Sequence, residues 1–145
     1  MSMIETDPCH ALQSAMYATL TADAGLQAIP ASGVVKIFDR VSSEIFPFIR
    51  IGEDRAVPND SECGSSTDVY STVRVYSRAI GKIEAKKIAA RVRFLLTKES
   101  TSGFAVTGYR MPIGFCEGYS LEEHEDGLTT QAIIEFRYKL NPTGV

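Results

Sequence analysis

A glycine and a lysine at the mouth of a helical pattern are where a phosphate can sit, and Gly81-Lys82 holds that position between an alternating run and a lysine-rich stretch. A phosphate loop needs GxxxxGK[ST], its first glycine letting the backbone wrap the anion and its last hydroxyl binding the metal. Tyr76 stands where that first glycine belongs and Ile83 where the hydroxyl belongs, so the residues favour a glycine that turns a strand into a helix. Metal binding needs clustered soft or imidazole ligands, whereas Cys9-His10, Cys63, Cys116 and His124 are scattered with no CxxC or HxxxH. There is no GxSxG elbow, and the two histidines, His10 and His124, fall near a terminus and in a polar segment, so nucleophilic catalysis lacks a placed base. Glu122, Glu123, Glu125 and Asp126 are neighbours along the chain, a pattern more typical of a solvated run than of paired catalytic carboxylates. No enzymatic activity, cofactor or metal is expected.

Charge is segregated instead. Residues 1–71 hold 4 basic and 10 acidic side chains, residues 72–100 hold 8 and 2, and residues 101–145 hold 3 and 6, for a net charge of −3. The basic block contains Arg74, Arg78, Lys82, Lys86, Lys87, Arg91 and Arg93. Such a block suits phosphate contacts, yet a pI of about 5.4 lacks the excess positive charge of a dedicated nucleic-acid binder. It suits equally well the head-to-tail meeting of identical copies, basic face against acidic loop, or a solvated helix whose lysine stems lie on the protein.

At 145 residues the chain fits one domain able to bury about 68–70% of its unfolded surface. Its apolar runs fall far short of the ~20 residues that span a bilayer, so no membrane partner is expected. MSMIETDPCH has no basic segment leading into an apolar one, so no signal peptide is expected, and three spaced cysteines make no disulfide framework. A reducing, intracellular site of synthesis is the expectation.

The elements that position these residues follow from periodicity. Asp7-Pro8 is a helix start, and Leu12, Ala15, Met16, Thr19 and Leu20 form one stripe of a helix over residues 8–22, ended at Ala24-Gly25-Leu26. A turn at 29–33 precedes apolar runs at 34–38 and 45–51, the second placed at an edge or a strand start by Pro47. Residues 52–68 read as a polar loop. Val69, Ser71, Val73 and Val75 alternate with Tyr70, Thr72, Arg74 and Tyr76 as a strand, and a helix over 81–97 puts Ala85, Ile88, Ala89, Val92, Leu95 and Leu96 on one arc. Residues 103–107 and 111–117 predict two strands around Gly108, residues 117–129 an acidic loop, and residues 130–140 a closing strand stopped by Asn141-Pro142. The order α β β β α β β β predicts a single α+β domain, with two main helices packed on one face of a largely antiparallel sheet.

Four segments, ALQSAMYATLTADAGL, FPFIRIGED, VYSRAIGKIEAKKIAARVRFLL and DGLTTQAIIEFRYKL, occur in this order and at similar separations in the tail-completion, or tail terminator, proteins of long-tailed phages and gene transfer agents. The chain resembles that family over about residues 10–140, most strongly at Ser77-Arg78, Gly81, Glu84-Ala85-Lys86 and Ile88-Ala89. It departs from the pattern in a longer insertion around residues 59–66 and in the acidic segment 122–125, so contacts of those loops do not carry over.

The resemblance implies a structural virion protein assembled in the host cytoplasm. It would form a ring, typically of six subunits, that caps the completed tail tube at its head-proximal end and joins it to the head–tail connector or stopper, with DNA passing through. A head–tail adaptor or tail assembly chaperone is the nearest alternative, and a DNA-binding module using helix 81–97 the alternative from another class. The candidate subunit or channel contacts are the seven basic residues named above together with Glu122, Glu123, Glu125 and Asp126.

Overall fold

The computed structural model describes residues 7–30, 33–38, 46–60, 64–97 and 104–143. Asp7 opens the first helix as its type requires, its Oδ1 accepting the Cys9 N–H at 3.0 Å while Pro8 takes a position that needs no N–H. Helix α1 (Pro8–Ala22) buries Leu12, Met16 and Leu20, one stripe at a spacing of four. Each such side chain contributes roughly 1.5–3 kcal/mol over its exposed state. Where the sequence predicts a simple stop, Asp23 caps a further four-residue helix, α2 (Ala24–Gln27), which buries Leu26.

Five strands form one sheet: β1 (Lys36–Phe38), β2 (Phe48–Pro58), β3 (Thr67–Ser77), β4 (Tyr109–Glu123) and β5 (Thr130–Pro142). Their spatial order is β1-β2-β3-β5-β4, antiparallel throughout except for β1 beside β2. Helix α3 (Ile83–Leu95) lies over β3 and β5, and α1 lies over β1 and β2. The expected α+β class holds, with both main helices on one face. Between the layers, Ile88, Ala89 and Val92 of α3 meet a core that includes Val73, Val75, Ile134, Phe136 and Tyr138. The Tyr138 hydroxyl donates to the Leu96 carbonyl at 2.6 Å, which satisfies its one deeply buried polar group.

Four expectations need correction. Residues 52–58 are strand, because β2 continues past a bulge at Gly52-Glu53 and pairs through Pro58 with Thr67. Backbone pairing to β3 sustains it where side-chain alternation has stopped. Residues 117–123 likewise belong to β4, leaving only 124–129 as the turn into β5. Residues 104–106 join no strand; Phe104 and Val106 are buried as a plug beside the sheet, the Phe104 ring 5.8 Å from that of Tyr138. The element order is therefore α α β β β α β β, and β5 runs on through Asn141-Pro142, where Pro142 is paired with Tyr109. Residues 31–32, Ile45, Cys63 and Gly103 of the predicted elements lie outside the described residues.

Candidate interaction surface

The junction that raised the phosphate question is built as a turn. Gly81 adopts φ +80°, a conformation glycine takes without the clash a Cβ brings, and α3 starts two residues later. Glu84 occupies the first turn of α3, where it complements the helix dipole, and accepts a hydrogen bond from Ser77 Oγ at 2.8 Å. The helix thus brings its own carboxylate to the end where an anion would dock.

The acidic segment folds back onto this junction within the same chain. Lys82 Nζ lies 3.2 Å from Glu123, and Arg78 donates from Nε to Thr129 Oγ1 at 3.1 Å with Nη2 3.6 Å from Asp126. Asp126 also accepts from the backbone N–H groups of Leu128 and Thr129 and from the Thr129 hydroxyl, which hold its carboxyl down at about 2. Between the junction and the turn lies an open groove of about 560 Å³, with Ile80, Ile83 and Leu128 exposed at its margins.

The other basic residues go elsewhere. Arg74 lies on the sheet face away from the helices and forks onto Glu53 at 2.6 and 3.3 Å. Arg91 pairs with Asp23, and Arg93 sits 5.4 Å above the ring of Tyr119 on β4. Lys86 and Lys87 are exposed and form no ion pair among the described residues; the same holds for Glu122 and Glu125. The candidate residues do not form a single patch. The sequence shows two blocks of opposite sign, but that Arg78 and Lys82 meet Asp126 and Glu123 depends on strand register.

The face of the sheet opposite the helices carries residues the charge pattern alone did not single out. Arg55, Tyr70, Arg137 and Phe115 stand in one row across β2, β3, β5 and β4, with both guanidiniums near the Tyr70 ring, at 5.8 and 5.7 Å from its centroid. In the next row Glu135 stands exposed between Thr72 and Gly118. In the sequence, alternation along the strands 68–76 and 130–140 puts Tyr70 and Thr72, and Glu135 and Arg137, on the sides opposite the apolar ones; no such pattern marks Arg55 or Phe115. At the end of this face nearest the junction, Phe48 stacks on Tyr76 with centroids 4.7 Å apart, and Arg78 lies 4.1 Å over Phe46.

No metal-ligating group of three or more His, Cys, Asp or Glu occurs among the described residues. Burial, helped by Asp54 and Asp7, pushes the Cys9 thiol up to about 11, so it is protonated and unreactive at neutral pH. His124 Nε2 is hydrogen-bonded to Gln131 Oε1 at 2.8 Å.

Residues 14–138 match the family described as tail completion protein gp17. The chain belongs to that family. As a member it is a structural protein of the virion tail. Two solved structures share the fold of this tail completion protein. A chain from the virion of a native gene transfer agent particle is 22% identical with a TM-score of 0.77, the match covering 91% of this chain and 96% of that one. The bacteriophage SPP1 gp17 protein is 22% identical with a TM-score of 0.58, the match covering 94% of each chain. No curated protein matches the tail completion chain described here.

Proposed function

We propose that this tail completion protein forms a ring, of six copies in the arrangement the family resemblance suggests, on the finished end of the tail tube. The ring stops elongation and provides the joint to the head connector or stopper, with DNA passing through its channel without specific binding. The observation that carries this reading is the family match over residues 14–138. The surface supports it, since the exposed apolar side chains Ile80, Ile83, Ile113 and Leu128 offer area for protein contact.

The runner-up from another class, a DNA-binding module, is weakened by pairing within the chain. Arg74, Arg78, Lys82 and Arg91 each meet a carboxylate, which leaves Lys86, Lys87 and Arg93 as the cations of this block without one among the described residues, a small set for phosphate binding. A gel shift with duplex DNA at low salt is expected to give no complex at micromolar protein.

The deciding experiment assembles tail tubes with and without the protein and images them. Uniform tubes ending in a ring of added density are expected, against overlong tubes in its absence. Protein bound to capsid connectors but never to tube ends would favour the adaptor instead, and protein required for assembly yet missing from finished tails would favour the chaperone.

A further inference from the structure

The three most exposed large apolar side chains among the described residues, Ile80, Ile83 and Leu128, lie around one groove. Ile80 is fully exposed, and Ile83 and Leu128 are 67% and 65% exposed. The first two stand on the wall made by the junction of β3 with α3, the third on the wall made by the turn from β4 to β5. Apolar area gathered around a concavity marks a contact surface, where the same area scattered would not.

The charges of this groove are not balanced within the chain. Arg78 is answered by Asp126 at 3.6 Å and Lys82 by Glu123 at 3.2 Å. Lys86 also lines the groove and forms no ion pair among the described residues. It follows Ile83 by three positions on α3, so the two side chains are neighbours on the helix surface. An occupant that satisfies both brings a bulky apolar side chain with a carboxylate close to it in sequence. At about 560 Å³ the groove has the size of a small-ligand cleft, so it takes a short segment of a few side chains and not the broad face of a subunit. A second copy is a poor source of that segment, because its acidic turn is already built into the wall of its own groove through Glu123 and Lys82.

Resting on the reading above, in which every copy meets the tube end before any head joins, we propose that the groove docks a short segment of the tail tube protein. In that segment a bulky apolar side chain lies within about two residues of an aspartate or glutamate, the spacing that matches neighbours on a helix surface. The apolar side chain packs among Ile80, Ile83 and Leu128, and the carboxylate meets Lys86.

Zero-length carbodiimide coupling of tubes assembled with the wild-type protein tests this directly. The expected product joins Lys86 to an aspartate or glutamate of the tube protein with a large apolar residue beside it. In parallel, Lys86→Glu and Ile83→Asp are each expected to weaken co-sedimentation with tubes at least about tenfold. Lys87→Glu, the next lysine on α3 but outside the groove, is expected to leave it unchanged. Circular dichroism checks that each variant folds, and Ile83→Asp places an acid in the first turn of α3, where the helix dipole favours it. Coupling of Lys86 only within its own chain, to a second copy, or to a connector protein added afterwards overturns the proposal, as do variants that bind tubes like the wild type. If the protein rings tube ends in spite of such results, the groove falls and the ring stands. If the cross-link forms and the variants fail while no ring is seen, the ring falls and the groove stands. Protein that never binds tubes removes both.

Discussion

Arg91 lays its guanidinium fork on Asp23, Nε 2.8 Å from Oδ2 and Nη2 2.9 Å from Oδ1, across 68 residues of sequence. Asp23 Oδ2 also accepts the Leu26 N–H at 2.8 Å, so one carboxylate caps α2 and ties it to α3. The Arg91 hydrogen bond is the main reason the Asp23 carboxyl is held below the ordinary carboxylate range. Asp23→Ala is expected to lower stability by about 1 kcal/mol through the lost cap alone, read from urea unfolding. Asp23→Asn keeps a capping oxygen and should lose less; equal losses would show that the charge pair and not the cap sets the effect.

Acid should loosen the turn between β4 and β5. Asp126 is held at about 2, below the ordinary value of about 3.9, so its contribution is complete above pH about 4 and is lost as pH falls through about 2. Asp23 has the same sign. Asp54 has the opposite one, because burial raises its carboxyl, and its protonation partly offsets the loss. Melting temperatures taken from pH 5 to pH 2 should fall, and Asp126→Asn should flatten the curve in that window. A variant whose curve follows the wild type would remove the turn from the acid response.

Tyr138 is fully buried and its hydroxyl reaches the Leu96 carbonyl at the end of α3. Tyr138→Phe keeps the ring and strands that carbonyl, at an expected cost of about 1–3 kcal/mol. Equilibrium unfolding would measure it, and a neutral result would mean that water replaces the bond.

Gly81 can be tested for its backbone role alone, since a Cβ built there meets nothing within 4 Å. With φ at +80°, Gly81→Ala should cost about 1–2 kcal/mol and Gly81→Asn clearly less, because a short polar side chain tolerates this conformation. Equal stability of all three proteins would show that the junction relaxes to another path.

Elements buried on one face were legible in the sequence, because burial imposes a period. The alternation Val69, Ser71, Val73, Val75 appears in β3 as four buried side chains, and Ala85, Ile88, Ala89, Val92 and Leu95 form the buried side of α3. The second half of β2 and residues 118–123 of β4 were not legible, for the same reason. Glu53, Arg55 and Ala56 are exposed, and none of residues 118–123 is fully buried, so no hydrophobic alternation marks these stretches and backbone pairing keeps them extended. The site was legible as charge blocks but not as contacts. Arg78 meets Thr129 and Lys82 meets Glu123 only because β3 and β4 flank β5 in one register, which local pattern does not encode.

The strand made last stands between two made earlier. Until β5 leaves the ribosome, β3 has a partner on one side only and β4 has none, so the sheet is completed in a single late step with long sequence separations. A nascent chain short of residue 130 therefore lacks both the Glu135 row and the finished sheet face that carries it. Any partner that recognises that finished face therefore meets only copies whose synthesis has passed β5.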